Sequence, residues 1–160
     1  MMKRLTNVNP QIRSKHNYFK RMATPEQKIL SEMAYLNKQL EGLTEDNPAD
    51  LQKIILINTK LLQPLGKMLG LATKEYKQAY AERKHGYGTL IVQTNGTGVE
   101  KEGQAEIGIK NARDIEAEKE GEMIRWRHAF ISTQELIQAQ KLILRAMITE
   151  LENANIGGGA

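Results

Sequence analysis

The chain has 160 residues, enough for one domain with a modest core, and carries 23 Lys and Arg against 19 Asp and Glu, a net charge of +4. It has no cysteine, which excludes disulfides, thiolate nucleophiles and cysteine-ligated zinc or iron–sulfur centres. The longest aliphatic run, Ile54-Ile55-Leu56-Ile57, is too short to span a bilayer, and the basic N-terminus has no apolar run behind it, so neither a membrane span nor a secretory signal is expected and the chain reads as cytoplasmic.

Residues 1–23 read as a basic, flexible arm. Residues 1–21 hold Lys3, Arg4, Arg13, Lys15, Lys20 and Arg21 and no acid. Such an arm suits an anionic partner, phosphate backbone first and lipid headgroups second; the alternative is a solvated tail. Thr24-Pro25-Glu26-Gln27 is a helix start: Thr24 can cap, Pro25 takes the first helical position and Gln27 completes a capping box. Ile29, Met33, Leu36 and Leu40 form one apolar stripe, and Gly42 is a natural terminator.

A second helix should start at Asn47-Pro48-Ala49-Asp50. Its stripe runs through Leu51, Ile54, Ile55, Leu61 and Leu62, then Leu65, Met68, Leu69, Ala72, Tyr76, Ala79, Tyr80 and Arg83. Pro64 removes a donor and crowds the preceding turn, so a kink or break is expected there, giving one bent helix or two in series. For residues 85–98 two readings stay open. Thr89-Leu90-Ile91-Val92-Gln93-Thr94 has the propensity of a short strand or hairpin, while the glycines around it fit a frayed helix end leading into a loop at Asn95-Gly96-Thr97-Gly98.

A long helical stretch is expected over roughly 99–152. A heptad-like register runs Ile109, Ala112, Met123, Trp126, Phe130, Ile137, Leu144, Met147 and Leu151, interrupted by Glu116, Lys119, Thr133 and Gln140. Polar residues on a seam weaken packing but can fix register and assembly state. Residues 153–160 read as a disordered Gly-rich tail. The chain is thus expected to be all-α: a 24–152 helical domain built as a long antiparallel, coiled-coil-like hairpin with a short N-terminal helix. Two helices cannot cover each other's apolar faces, so a homo-oligomer is expected.

No catalytic motif stands out, and the chain is not expected to be an enzyme or to need a cofactor. His16, His85 and His128 are not spaced as a helical metal-ligand pair, so no metal site is expected. Glu116, Glu118, Glu120 and Glu122 read as a solvated charged face. Two basic–aromatic clusters do suit a single-stranded nucleic acid, which needs cations along its phosphates and rings for its bases. One is Lys74, Tyr76, Lys77, Tyr80, Arg83, Lys84, His85 and Tyr87; the other is Arg125, Trp126, Arg127 and His128. The expected nucleic-acid contacts are Lys74, Lys77, Tyr80, Arg83, Lys84, His85, Arg125 and Arg127, with Lys20 and Arg21 from the arm. For Tyr76, Tyr80 and Trp126 the competing reading is core.

The order Tyr76-x3-Tyr80-x2-Arg83-Lys84, Asn95-Gly96-Thr97-Gly98, Glu100-Lys101, Ala112-Arg113-Asp114, Trp126 and Lys141-x3-Arg145 resembles the layout of phage recombination mediators of the UvsY type, over roughly residues 50–150. That resemblance implies a small helical protein that assembles into rings, binds single-stranded DNA and helps load a RecA-like recombinase onto strands coated by a single-strand-binding protein. It also implies DNA contacts at Lys77, Arg83 and Lys84, and residence in a host cytoplasm. The arm, the 24–41 helix and Pro64 are departures from the layout. The other reading is a protein-only helical interaction module, either a virion or scaffold component or an inhibitor of a host protein.

Overall fold

A computed structural model describes residues 24–157, which form helices α1 (Pro25–Lys38), α2 (Pro48–Gln93), α3 (Gly98–Gly108) and α4 (Lys110–Gly157). The N-terminal arm and residues 158–160 lie outside the described residues. The starts of α1 and α2 carry the chemistry their sequences promise. The Thr24 hydroxyl accepts the Gln27 N–H at 3.1 Å while Gln27 Oε1 accepts the Thr24 N–H at 3.0 Å. Asn47 Oδ1 accepts the Ala49 N–H at 2.9 Å and so caps α2.

Helices α2 and α4 pack along their length as the expected antiparallel hairpin, about 70 Å long at about 1.5 Å per residue. The α4 side of the seam follows the heptad read from the sequence. Ile109, Met123 and Ile137 are buried, and Ala112, Trp126, Phe130, Leu144 and Met147 are half-buried. Leu151, the last position in that register, is instead 55% exposed. From α2 the seam takes Leu51, Ile54, Asn58, Leu61, Leu65, Met68, Ala72 and Ala79. Helix α1 packs on a flank of α2, where Leu36, Ile57 and Leu61 form a cluster edged by Met33, Leu40 and Leu43.

Of the two forms left open at Pro64, α2 takes the single one: it runs unbroken through Pro64, which is fully buried. The lost hydrogen bond and steric crowding, about 3 kcal/mol, are outweighed by Leu61, Leu65 and Met68 packing on either side. Of the two readings of residues 85–98, the helix end leading into a loop holds and the strand or hairpin does not: α2 continues to Gln93, and the turn occupies residues 94–97. Leu90 lies against Gly108 at the end of α3 and Gly86 against Ile109 just beyond it, and that packing overrides β propensity. Two expectations need correction, the first being a continuous 99–152 helix: the stretch divides at Ile109, whose backbone (φ −92°, ψ 5°) leaves helical geometry. Its side chain is 2% exposed, and a Cβ on Gly86 would lie 3.9 Å from Ile109 Cγ2. The second is the tail: at its other end α4 runs to Gly157, so residues 153–157 are helical.

Candidate nucleic-acid interface

The polar residues that interrupt the α4 heptad meet polar partners. Asn58 donates to Gln140 Oε1 at 3.0 Å, and Gln140 donates to Glu45 Oε1 at 2.8 Å. Lys119 Nζ lies 2.8 Å from Glu75 and 3.0 Å from Glu122. Arg83 pairs with Glu116, and Thr133 donates to the Ala129 carbonyl at 2.8 Å. No buried side-chain nitrogen or oxygen among the described residues lacks a partner. The acidic run of α4 is therefore only partly a solvated face, because Glu116 and Glu122 are engaged.

These pairings sort the expected contact residues. Arg83 bonds Glu116, which raises its pKa, with burial acting in the opposite sense, so its charge is already answered within the hairpin. Lys119 is likewise held well above the usual lysine range by Glu75 and then Glu122. Lys74, Lys77, Lys84 and His85 are exposed, and none of the three lysines makes an ion pair with another described residue. Tyr80 is 40% exposed, with the Lys84 ammonium 5.4 Å and the Arg83 guanidinium 5.3 Å from its ring centroid. Tyr80 therefore stands at the surface among cations and is not core. Tyr76 and Tyr87 are half-buried.

The second cluster does not form one face. Arg125 and Arg127, two residues apart, diverge by about 200° around α4. Arg125 edges a groove with Glu26, Glu122, Trp126 and Ala129, whereas Arg127 turns to Met123 Sδ at 3.8 Å. Trp126 is half-buried on the seam, in keeping with the core reading. Lys20 and Arg21 lie outside the described residues.

Three further cations belong with Lys74, although the two basic–aromatic clusters do not include them. Lys53, Lys60, Lys67 and Lys74 recur every seven residues on the solvent side of α2, and all four are exposed. The spacing is visible in the sequence, but only the seam tells which face it marks. Across α2, seven cations (Lys53, Lys60, Lys67, Lys74, Lys77, Arg83 and Lys84) stand against three acids (Asp50, Glu75 and Glu82).

Among the described residues no group of three or more His, Asp or Glu is placed to hold a metal ion, and no helix is long and apolar enough to cross a membrane. The chain matches no protein-family model, no curated protein and no solved structure.

Proposed function

We propose that this protein binds single-stranded DNA through the exposed face of α2, as a self-associating accessory protein of phage-type recombination or replication. The observation that carries this reading is the grouping of Lys74, Lys77, Lys84 and His85 around the exposed Tyr80 ring. Cations follow the phosphates and a partly exposed ring offers a stacking surface for a base, which are the two parts a sequence-tolerant single-strand site needs. The layout resemblance to UvsY-type mediators extends the reading to helping a RecA-like recombinase onto strands coated by a single-strand-binding protein. Leu136, Leu142, Ile143 and Leu151, exposed on the C-terminal half of α4, are suited to contacts between copies of the chain.

A labelled oligonucleotide titrated at low and moderate salt tests the proposal. Binding should weaken steeply with salt, and Lys77→Gln with Lys84→Gln should weaken it further; absence of binding at low salt would refute it. The same apolar residues of α4 also favour a second reading, a protein-only helical interaction module. That reading predicts a protein partner recovered whether or not nucleic acid is removed by nuclease.

A further inference from the structure

The geometry points to a strand-binding ridge that runs the length of α2, so that the polyanion lies parallel to the hairpin axis rather than across its tip. We infer this from the placement of the lysines relative to the seam, and it deepens the single-stranded DNA reading on which it rests.

On a helix whose seam repeats every seven residues, any other seven-residue series keeps a constant bearing to that seam. Lys53, Lys60, Lys67 and Lys74 are such a series, with neighbouring members about 10 Å apart along the axis. They sit on the side of α2 away from Ile54, Leu61, Met68 and Ala72, which face α4. Lys77, Lys84 and His85 continue the row toward the tip. On an ideal helix all seven fall within an arc of about 140°, and no Asp or Glu of α2 falls inside it. Asp50, Glu75 and Glu82 lie on the flank, where Glu75 is engaged by Lys119 of α4.

A solvated outer face of a coiled coil normally mixes both signs of charge, whereas this one carries a single sign over about 46 Å. Two of its lysines have acidic neighbours: Lys53 lies 3.0 Å from Asp50, and Lys67 lies 3.3 Å from Glu32 of α1. The Lys53, Lys67 and Glu32 side chains are 61%, 46% and 41% exposed, and such surface pairs contribute little that a phosphate could not replace. Lys60, Lys74, Lys77 and Lys84 form no ion pair with the described residues.

The ridge favours a single strand over a duplex for a steric reason. A major groove about 12 Å wide admits one helix, but α2 is backed by α4 along its length and cannot enter. A duplex could only touch the convex ridge at a few phosphates. A flexible single strand can follow it, with room for about 13 nucleotides at about 3.4 Å each.

The test uses the full chain and a labelled 20-nucleotide thymidine strand, with a 20-base-pair duplex as comparison and circular dichroism as the control for folding. With six lysines engaged, log affinity should fall with log salt at a slope of about −4. Replacing Lys53 and Lys60 with Gln, far from Tyr80, should reduce that slope by about 1.4 and weaken binding at low salt. If the Lys77→Gln, Lys84→Gln variant loses binding but the Lys53→Gln, Lys60→Gln variant does not, the ridge is refuted while the single-strand reading stands. Equal or tighter binding of the duplex also refutes it. No binding of either nucleic acid overturns the ridge and the functional reading together.

Discussion

Asn58 and Gln140, separated by 82 positions in the chain, share a 3.0 Å hydrogen bond inside the seam between α2 and α4, where they are 4% and 2% exposed. Each satisfies the other, and Gln140 is held further by Glu45 from the loop that precedes α2. An amide pair at matching seam positions stabilises one register because a slip of either helix would strand both groups in an apolar environment.

Asn58→Leu should therefore destabilise the hairpin by about 1–3 kcal/mol, since Gln140 loses a buried partner. The Asn58→Leu, Gln140→Leu double variant should recover that loss or exceed the parent, because two apolar residues need no partner. Its register should loosen in exchange, which would appear as a broader transition or mixed association states. Chemical denaturation followed by Trp126 fluorescence reads the first effect and sedimentation reads the second. A double variant less stable than either single variant would contradict the pairing.

The Arg83–Glu116 contact separates structural cations from those available to a ligand. Arg83→Met should lower the melting temperature, and the Arg83→Glu, Glu116→Arg exchange should restore part of it. Salt-dependent affinity for a single strand should change less in Arg83→Met than in Lys77→Gln with Lys84→Gln, provided both are measured well below their melting points. If Arg83→Met instead causes the larger loss of binding, Arg83 leaves Glu116 for the ligand and the assignment is reversed.

Legibility in the sequence followed the reach of each physical cause. Local chemistry was readable: Thr24 with Gln27, and Asn47, cap the helices they were expected to cap. The α4 heptad was readable too, because its apolar spacing is regular and its polar exceptions stand out. What the sequence could not supply was the partner of each exception. Glu116 looks like one of four surface acids until Arg83 arrives from 33 residues away, and Lys119 is explained only by Glu75. Pro64 and residues 85–93 left two readings open for the same reason. Proline geometry and β propensity are local terms, and burial across the hairpin outweighs them. The lysine row had a visible period but no visible direction, because a period identifies a face only after the opposite face is known to be the seam.

The turn between α2 and α3 depends on Gly96, whose φ of +132° disfavours any side chain. A Cβ there would also meet Glu100 Oε2 at 2.7 Å, disturbing the carboxylate that accepts the Thr97 N–H. Gly96→Ala should destabilise the protein by roughly 1–3 kcal/mol. Gly103→Ala makes the contrast, because the added methyl meets nothing within 4 Å and α3 gains about 1 kcal/mol of helix propensity. Opposite shifts in melting temperature for the two variants would verify the assignment; equal shifts would refute it.

The same cap predicts how the tip responds to acid. Glu100 accepts the backbone N–H of Thr97 at 2.8 Å and its hydroxyl at 3.0 Å, and these bonds hold its carboxyl below the ordinary glutamate range, with the backbone bond the larger cause. A lowered folded-state pKa means that the contribution is present above the ordinary value near 4.3 and is lost as pH falls through the folded value. The start of α3 should therefore loosen below about pH 4, and Glu100→Gln should remove that dependence. Arg83 and Lys119 have the opposite sign: both are raised, so their contributions are full at neutral pH and are lost only on alkaline titration above their ordinary values. Amide exchange at residues 97–101 between pH 3 and 6 reads the cap directly. Exchange that accelerates equally in the parent and in Glu100→Gln would show that another group governs the acid response of the tip.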